Sequence, residues 1–223
     1  MAEGSPLPVQ ISLRPYASSI PLAAFAFGVG NVLYSAYLLH WIPAAEAHSV
    51  AVILLAFVAP LELVPSLMAF LTRDAGGATA FGIFGAAWVV QGLALVGGPP
   101  PAVNHSAGVF LLCLAVCLVI LAVVTFRGKP LLGVVLCLAI VRTAGAAASA
   151  LKGTPWLGAA TAYSGLLLAV LAFYCGAAFL EEDVTGRLSP LTFRTGAARA
   201  AMEGSLGDQL EAIEREAGVR KQL

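Results

Sequence analysis

Charge is what this chain lacks. Of its 223 residues only 11% are Asp, Glu, Lys or Arg, and 12 cations balance 12 anions. A soluble domain carries about 25% charged residues, so the deficit points to lipid as the solvent. A net charge of zero leaves no basic field for nucleic acid. Catalytic signatures are missing as well. There is no GxxxxGK[ST] phosphate loop, no HExxH pair and no GxSxG turn, so no enzyme, no ATP-driven pump and no cofactor is expected. The four cysteines, Cys113, Cys117, Cys137 and Cys175, lie in apolar runs without zinc-type spacing. Small buried hydrophobes is their expected role.

What the chain has instead is apolar length. Hydrophobic residues make up 60% of it, and six runs of about 20 residues stand out. They are Ile20–Trp41, Val50–Leu71, Gly77–Val96, Ser106–Phe126, Leu131–Leu151 and Trp156–Leu180. Backbone facing lipid must satisfy its own hydrogen bonds, so each run is expected to be a helix. The first run is no signal peptide, being too long and without a basic leader. The fold class expected is all-α: a polytopic membrane protein with six transmembrane helices.

The cations orient it. Arg14, Arg73, Arg127, Lys129 and the six cations after the last run fall on one side, and Lys152 alone falls on the other. That bias places both termini in the cytoplasm, with the bundle in the inner membrane. Residues 1–19 then form a cytoplasmic segment, 20–180 the six-helix domain and 181–223 a cytoplasmic tail. In the tail Ser205 and Asp208 form a capping box before Leu206, Leu210 and Ile213, with Gly218 as a stop. A short amphipathic helix is expected there.

Two charges break the apolar pattern. Glu62 lies in the second run between Pro60 and Pro65, and Arg142 lies in the fifth. Ionisable groups at that depth are expensive and mark a function or a partner. Counted from Val50, Glu62 lies about 18 Å below one boundary, and Arg142 lies about 17 Å above the other. In a core about 30 Å thick these depths nearly coincide, so the two pair if their helices are neighbours. One reading is an ion pair that locks two helices. The other is that Arg142 draws in an anion while Glu62 balances the charge or carries a proton. Without a partner, desolvation favours the neutral carboxyl, which suits a proton carrier.

Each proline removes a helical hydrogen bond, so the second helix is expected to kink or break near Glu62, as pathway-lining helices do. Asn31 and Gln91 either line a pathway or bridge helices. His40, His48 and His105 all fall near the external face. Small residues, among them Gly77, Gly82, Gly85 and the stretch Gly145–Ala150, permit tight helix contact and make an oligomer plausible.

An ordered set of motifs resembles the acetate uptake transporter family, which includes the succinate–acetate permeases. It consists of Thr79-Ala80-Phe81 followed by Gly85 and Trp88, then Gly186-Arg187 with Pro190 after the sixth run. The resemblance covers roughly Pro21 to Pro190. It implies a homo-oligomer, as a hexamer, in which each subunit passes small carboxylates through its own pathway. It also implies that Phe27, Phe84 and Leu138 form an apolar gate, with Phe84 standing where the family has Tyr. Of the family's substrate-contacting signature at the first helix only Pro21-Leu22 remains; Pro21 represents it, and Thr79, from the motif in the third run, is a further candidate near the substrate. Glu62 stands where an uncharged polar residue is usual, and Arg142 has no counterpart.

The function expected is a transporter or channel for small monocarboxylates such as acetate, gated by a dry constriction and working either as a channel or as a proton-coupled carrier. Two alternatives stay open. One is a pathway for ammonium or a neutral molecule, which a paired Glu62–Arg142 would favour. The other is a membrane sensor or assembly protein without transport.

Overall fold

The apolar runs fold as continuous helices wherever no proline interrupts them, and their ends fall at residues that cannot extend them. The structure is a computed structural model that describes residues 17–195 and 199. It comprises α1 (Ile20–Leu38), α2 (Ala47–Ile53), α3 (Pro60–Leu71), α4 (Ala75–Val96), α5 (His105–Thr125), α6 (Pro130–Lys152) and α7 (Pro155–Thr185). The described residues contain no strand. Helices α2 and α3 belong to one span, so six helical segments are long and apolar enough to cross a membrane. The chain is a multi-pass membrane protein. The C-terminal amphipathic helix and most of the 1–19 segment lie outside the described residues.

Helix ends follow local chemistry. α3, α6 and α7 each begin with a proline, whose missing N–H is no loss in the first turn. Asp74 caps α4 by accepting from the Gly77 amide at 3.1 Å, and Asn104 caps α5 by accepting from Ala107 at 3.0 Å. α1 stops at Leu38, short of Trp41, because His40 takes a left-handed backbone with φ of 58°. α7 runs on past Leu180 to Thr185. The acidic start of the tail is therefore helical, and Gly186 ends it at φ 63°.

The second span is broken, but one turn before Glu62 rather than around it. Residues Leu54–Val58 form a π-helical turn, with the Ala59 amide donating to the Leu54 carbonyl at 2.9 Å. The wider turn makes room for Pro60, whose ring clashes with the carbonyl of an ordinary preceding turn. Pro65 sits inside α3 without ending it.

The helices close into a ring in the order α4, α3, α1, α7, α6, α5, and α5 returns to α4. α1 against α7 and α5 against α6 are the broadest seams. α3 and α6 consequently stand on opposite sides of the ring. One face of the bundle carries the turns around Asp74 and Lys129, which form an ion pair between the α3–α4 and α5–α6 connections. We call this the lower face. The upper face carries residues 39–46, 97–104 and 153–154.

Below the ring the chain folds back after α7. Glu182, 1% exposed, accepts from the Thr192 hydroxyl at 2.7 Å and pairs with the Arg194 guanidinium, which also lies over the Phe179 ring. The Thr195 amide donates to the Gly128 carbonyl at 3.1 Å, tying this segment to the α5–α6 connection. A buried acid is thus matched by a cation and a hydroxyl.

The outer surface is apolar, as lipid or a neighbouring subunit requires. Val116, Ile120 and Val123 on α5 and Leu167 and Val170 on α7 are all largely exposed. Three of the four cysteines, Cys113, Cys117 and Cys137, also face outward, contrary to the expectation of buried positions. Thiols count as apolar there, so lipid accommodates them as well as a core would. Cys175 alone is buried.

Candidate solute pathway

The centre of the ring is filled by aromatic side chains that helical spacing stacks in a column. Phe27 and Tyr34 lie two turns apart on one face of α1, and Phe84 and Trp88 one turn apart on α4. The Phe27 and Phe84 rings meet with centroids 4.4 Å apart at 39°. Trp88 packs edge-on to Phe27 at 6.2 Å and to Tyr34 at 6.3 Å. Phe27 is 6% and Phe84 8% exposed, so the two rings shut the middle of the bundle.

A cavity of about 350 Å³ opens above this plug at the upper face. Tyr34, Tyr37, Phe110 and Leu111 supply much of its apolar wall, and Gln91, Asn104, Ser149 and Thr161 its polar groups. Arg142 lines this vestibule as well as a void of about 20 Å³ beneath it, whose other walls include Phe27, Phe84 and Gln91. A second void of about 20 Å³ lies on the far side of the plug. Phe27 and Phe84 wall it too, together with Glu62, Val135 and Cys175. Each small void has room for about one water. From the upper face the sequence is therefore vestibule, Arg142, the two phenyl rings, then Glu62.

Arg142 is held without an acid. Its guanidinium carbon sits 5.7 Å from the centroids of both the Tyr34 and Trp88 rings. Such cation–π contacts contribute about 0.5–1 kcal/mol at exposed sites and about 2 kcal/mol when desolvated. Its Nε and Nη2 atoms are buried with no hydrogen-bond acceptor, although the residue as a whole is 7% exposed. Gly165 of α7 is what lets it lie there: a Cβ on that residue would come within 3.0 Å of Arg142 Nε. Thr161, one turn earlier on α7, has a buried hydroxyl without a partner on the vestibule wall.

Glu62 is fully buried, and neither carboxyl oxygen has a hydrogen-bond partner. Gly85 brings α4 against it, where a Cβ would lie 3.2 Å from Glu62 Cβ and 2.8 Å from Leu63. The pairing with Arg142 that equal depth allowed does not form. α2 starts at Ala47, after a 3-10 turn at Ala44–Glu46, and not at Val50, so Glu62 lies about 22 Å below the start of α2 rather than 18 Å. More decisively, α3 and α6 face each other across the ring with the phenyl plug between them.

The remaining residues singled out from the sequence separate into two groups. Gln91 lines the vestibule and the upper void, and its amide donates to the Ala87 carbonyl at 3.4 Å. Asn31 is fully buried on α1 and donates to the Phe27 carbonyl at 2.8 Å, leaving its own Oδ1 without a partner. It braces the turn that carries Phe27 but lines none of these spaces. Pro21 is buried at the start of α1, and Thr79 is exposed with its hydroxyl on the Ala75 carbonyl. Neither lines the voids or the vestibule. Leu138 is half-buried and does not line them either; on α6 the inward positions are Val135, Ala139 and Arg142, one residue out of register with it. His40 lines the vestibule, and a His48 ring nitrogen lies 3.4 Å from the Val96 carbonyl. Sequence reasoning missed Tyr34 and Thr161. The spacing of seven from Phe27 was a usable signal for Tyr34, whereas nothing in the sequence marks Thr161.

No family model matches the chain, and no curated protein matches it. Among solved structures, the bacterial acetate channel SatP is similar, with a TM-score of 0.70 over 78% of this chain and 97% of that one. The two are 18% identical. This is a likeness of fold: a six-helix bundle of the kind on which that channel is built.

Proposed function

We propose that the protein is a permease or channel for small monocarboxylates, acetate foremost, in the cell's inner membrane. The observation that carries this reading is Arg142, a buried cation with no acid beside it, at the floor of an open vestibule. An anion leaving water loses several kcal/mol of hydration, and a guanidinium with free donors is the natural offset. The fold shared with an acetate channel supports the same reading. Had Glu62 neutralised Arg142, a neutral solute or ammonium would be the better cargo.

On this reading Phe27 and Phe84 are the gate, with Val135 and Ala139 taking the α6 positions first given to Leu138. Passage requires the two rings to part. Glu62, on the inner side of the gate, takes up a proton as the anion passes, since a neutral carboxyl does not repel it. The lipid-facing apolar surface and the likeness to a channel fit a homo-oligomer, a hexamer by the resemblance, with a pathway in each subunit and both termini cytoplasmic.

Uptake of labelled acetate into liposomes holding the purified protein tests the reading. Flux above that of empty liposomes, reduced at least tenfold by Arg142→Met in protein that remains monodisperse, is the expected result. No flux in either direction of a pH gradient would sink it.

A further inference from the structure

The vestibule is too large and too apolar for acetate alone. At about 350 Å³ it lies within the size range of pockets that bury drug-sized ligands. A cavity of about 150 Å³ accepts one benzene, so the vestibule has roughly twice the space of an aromatic ring. Acetate brings a single methyl group. Resting on Arg142 it would leave the walls formed by Tyr34, Tyr37, Phe110 and Leu111 facing water.

We propose that the vestibule is a binding site for monocarboxylates carrying a ring-sized apolar body, such as an aryl or cycloalkyl carboxylate. The carboxylate sits on the Arg142 guanidinium, whose Nη2 has no acceptor, and takes a further hydrogen bond from the unpartnered Thr161 hydroxyl. Two polar residues, each more than nine-tenths buried, thus stand on the wall of the same cavity with unpartnered atoms, and a rotamer change of either side chain brings those atoms to the ligand. The apolar body fills the space above them against Tyr34 and Tyr37, whose rings lie 6.5 Å apart. Aromatic walls favour a ring over a flexible chain, because a rigid ligand loses little freedom on binding. The voids of about 20 Å³ flanking Phe27 and Phe84 do not admit such a body. The ligand therefore occupies the vestibule without following the smaller solute through the gate.

The proposal shares with the transport reading only the assignment of Arg142 as the carboxylate's partner. Calorimetric titration of the purified protein in detergent with benzoate, acetate and benzamide tests it, with protein-free micelles as the blank. Benzoate is expected to bind at least tenfold more tightly than acetate, and benzamide, which has the ring but no charge, at least tenfold more weakly than benzoate. Ala146, one turn above Arg142 on α6, lines the vestibule. Ala146→Phe fills the space for the ring and is expected to weaken benzoate tenfold while changing acetate affinity less than threefold. This variant does not touch the buried charge, so it keeps the test decisive even if Arg142→Met fails to fold. Benzoate and acetate binding within twofold of each other would overturn the proposal, as would benzoate affinity unaffected by Ala146→Phe. Benzoate binding without acetate flux in liposomes would reject the transport reading and leave this site standing. Acetate flux without preferential benzoate binding would do the reverse.

Discussion

Truncating Phe84 to Ala separates a gate from a mere core contact. Phe84 and Phe27 are the shared wall of two voids of about 20 Å³ each. Removing one phenyl ring joins them into a space of roughly benzene size, about 150 Å³. If that space stayed dry, a penalty of about 24 cal/mol per Å³ would destabilise the protein by about 3.6 kcal/mol. Loss of the ring–ring contact would add about 0.5–1.5 kcal/mol. The joined space is not wholly apolar, however, because Arg142, Gln91 and Thr143 line its upper part and Glu62 its lower part. Water from the vestibule therefore fills it, and the measured loss should fall to about 2 kcal/mol or less. The same water lowers the dehydration barrier to an anion. Each 1.4 kcal/mol removed raises the rate about tenfold, so labelled acetate uptake should rise at least tenfold. Phe84→Leu keeps most of the bulk and should change flux less than threefold. Thermal unfolding in detergent and liposome uptake measure the two quantities on the same preparations. A loss above about 3.6 kcal/mol with unchanged flux would show that the phenyl pair is ordinary dry core and refute the reasoning.

Three further outcomes follow from the charges. Glu62→Leu should leave stability unchanged or raise it in thermal unfolding, since neither carboxyl oxygen loses a partner; a fall of about 3–5 kcal/mol, the usual result of breaking a buried pair, would expose a hidden cation. Glu62→Gln should abolish the response of acetate uptake to a pH gradient across the liposome, and an undiminished response would exclude Glu62 as the proton's carrier. Arg194→Met should destabilise the protein by about 3 kcal/mol, because it strands Glu182, which is 1% exposed, and adding Glu182→Gln should recover most of that loss in the same melting assay.

The helices were legible because membrane helices answer to length and composition, which are local properties. Five of the six expected spans begin within two residues of the observed helices, and the sixth, Val50, misses the start at Ala47 by three. The likeness of fold to an acetate channel was legible too, from the motif order along α4 and from Gly186, Arg187 and Pro190 after the last span. Side-chain register was not. Leu138 and Ala139 are both apolar, and only the packing of α6 against α5 and α7 decides which one turns inward. Pro21 is buried in the first turn of α1 and Thr79 is exposed on α4, positions that the order of a motif along the chain does not reveal. The break in the second span moved from Glu62 to Leu54–Val58 because the strain of a proline falls on the turn before it.

Depth was the subtler failure. Two charges at similar height in a bilayer pair only if their helices touch, and the helix order around a ring is invisible to hydropathy. Here that order puts α3 opposite α6 and sets two phenyl rings between the charges. A buried ion pair is satisfied and inert, whereas a guanidinium and a carboxyl kept apart each retain unmet hydrogen-bonding capacity. Such capacity is destabilising, and a group that keeps it at this depth is a candidate for function. The Phe27 and Phe84 rings stand between the two groups, so neither reaches the other while the rings keep these places.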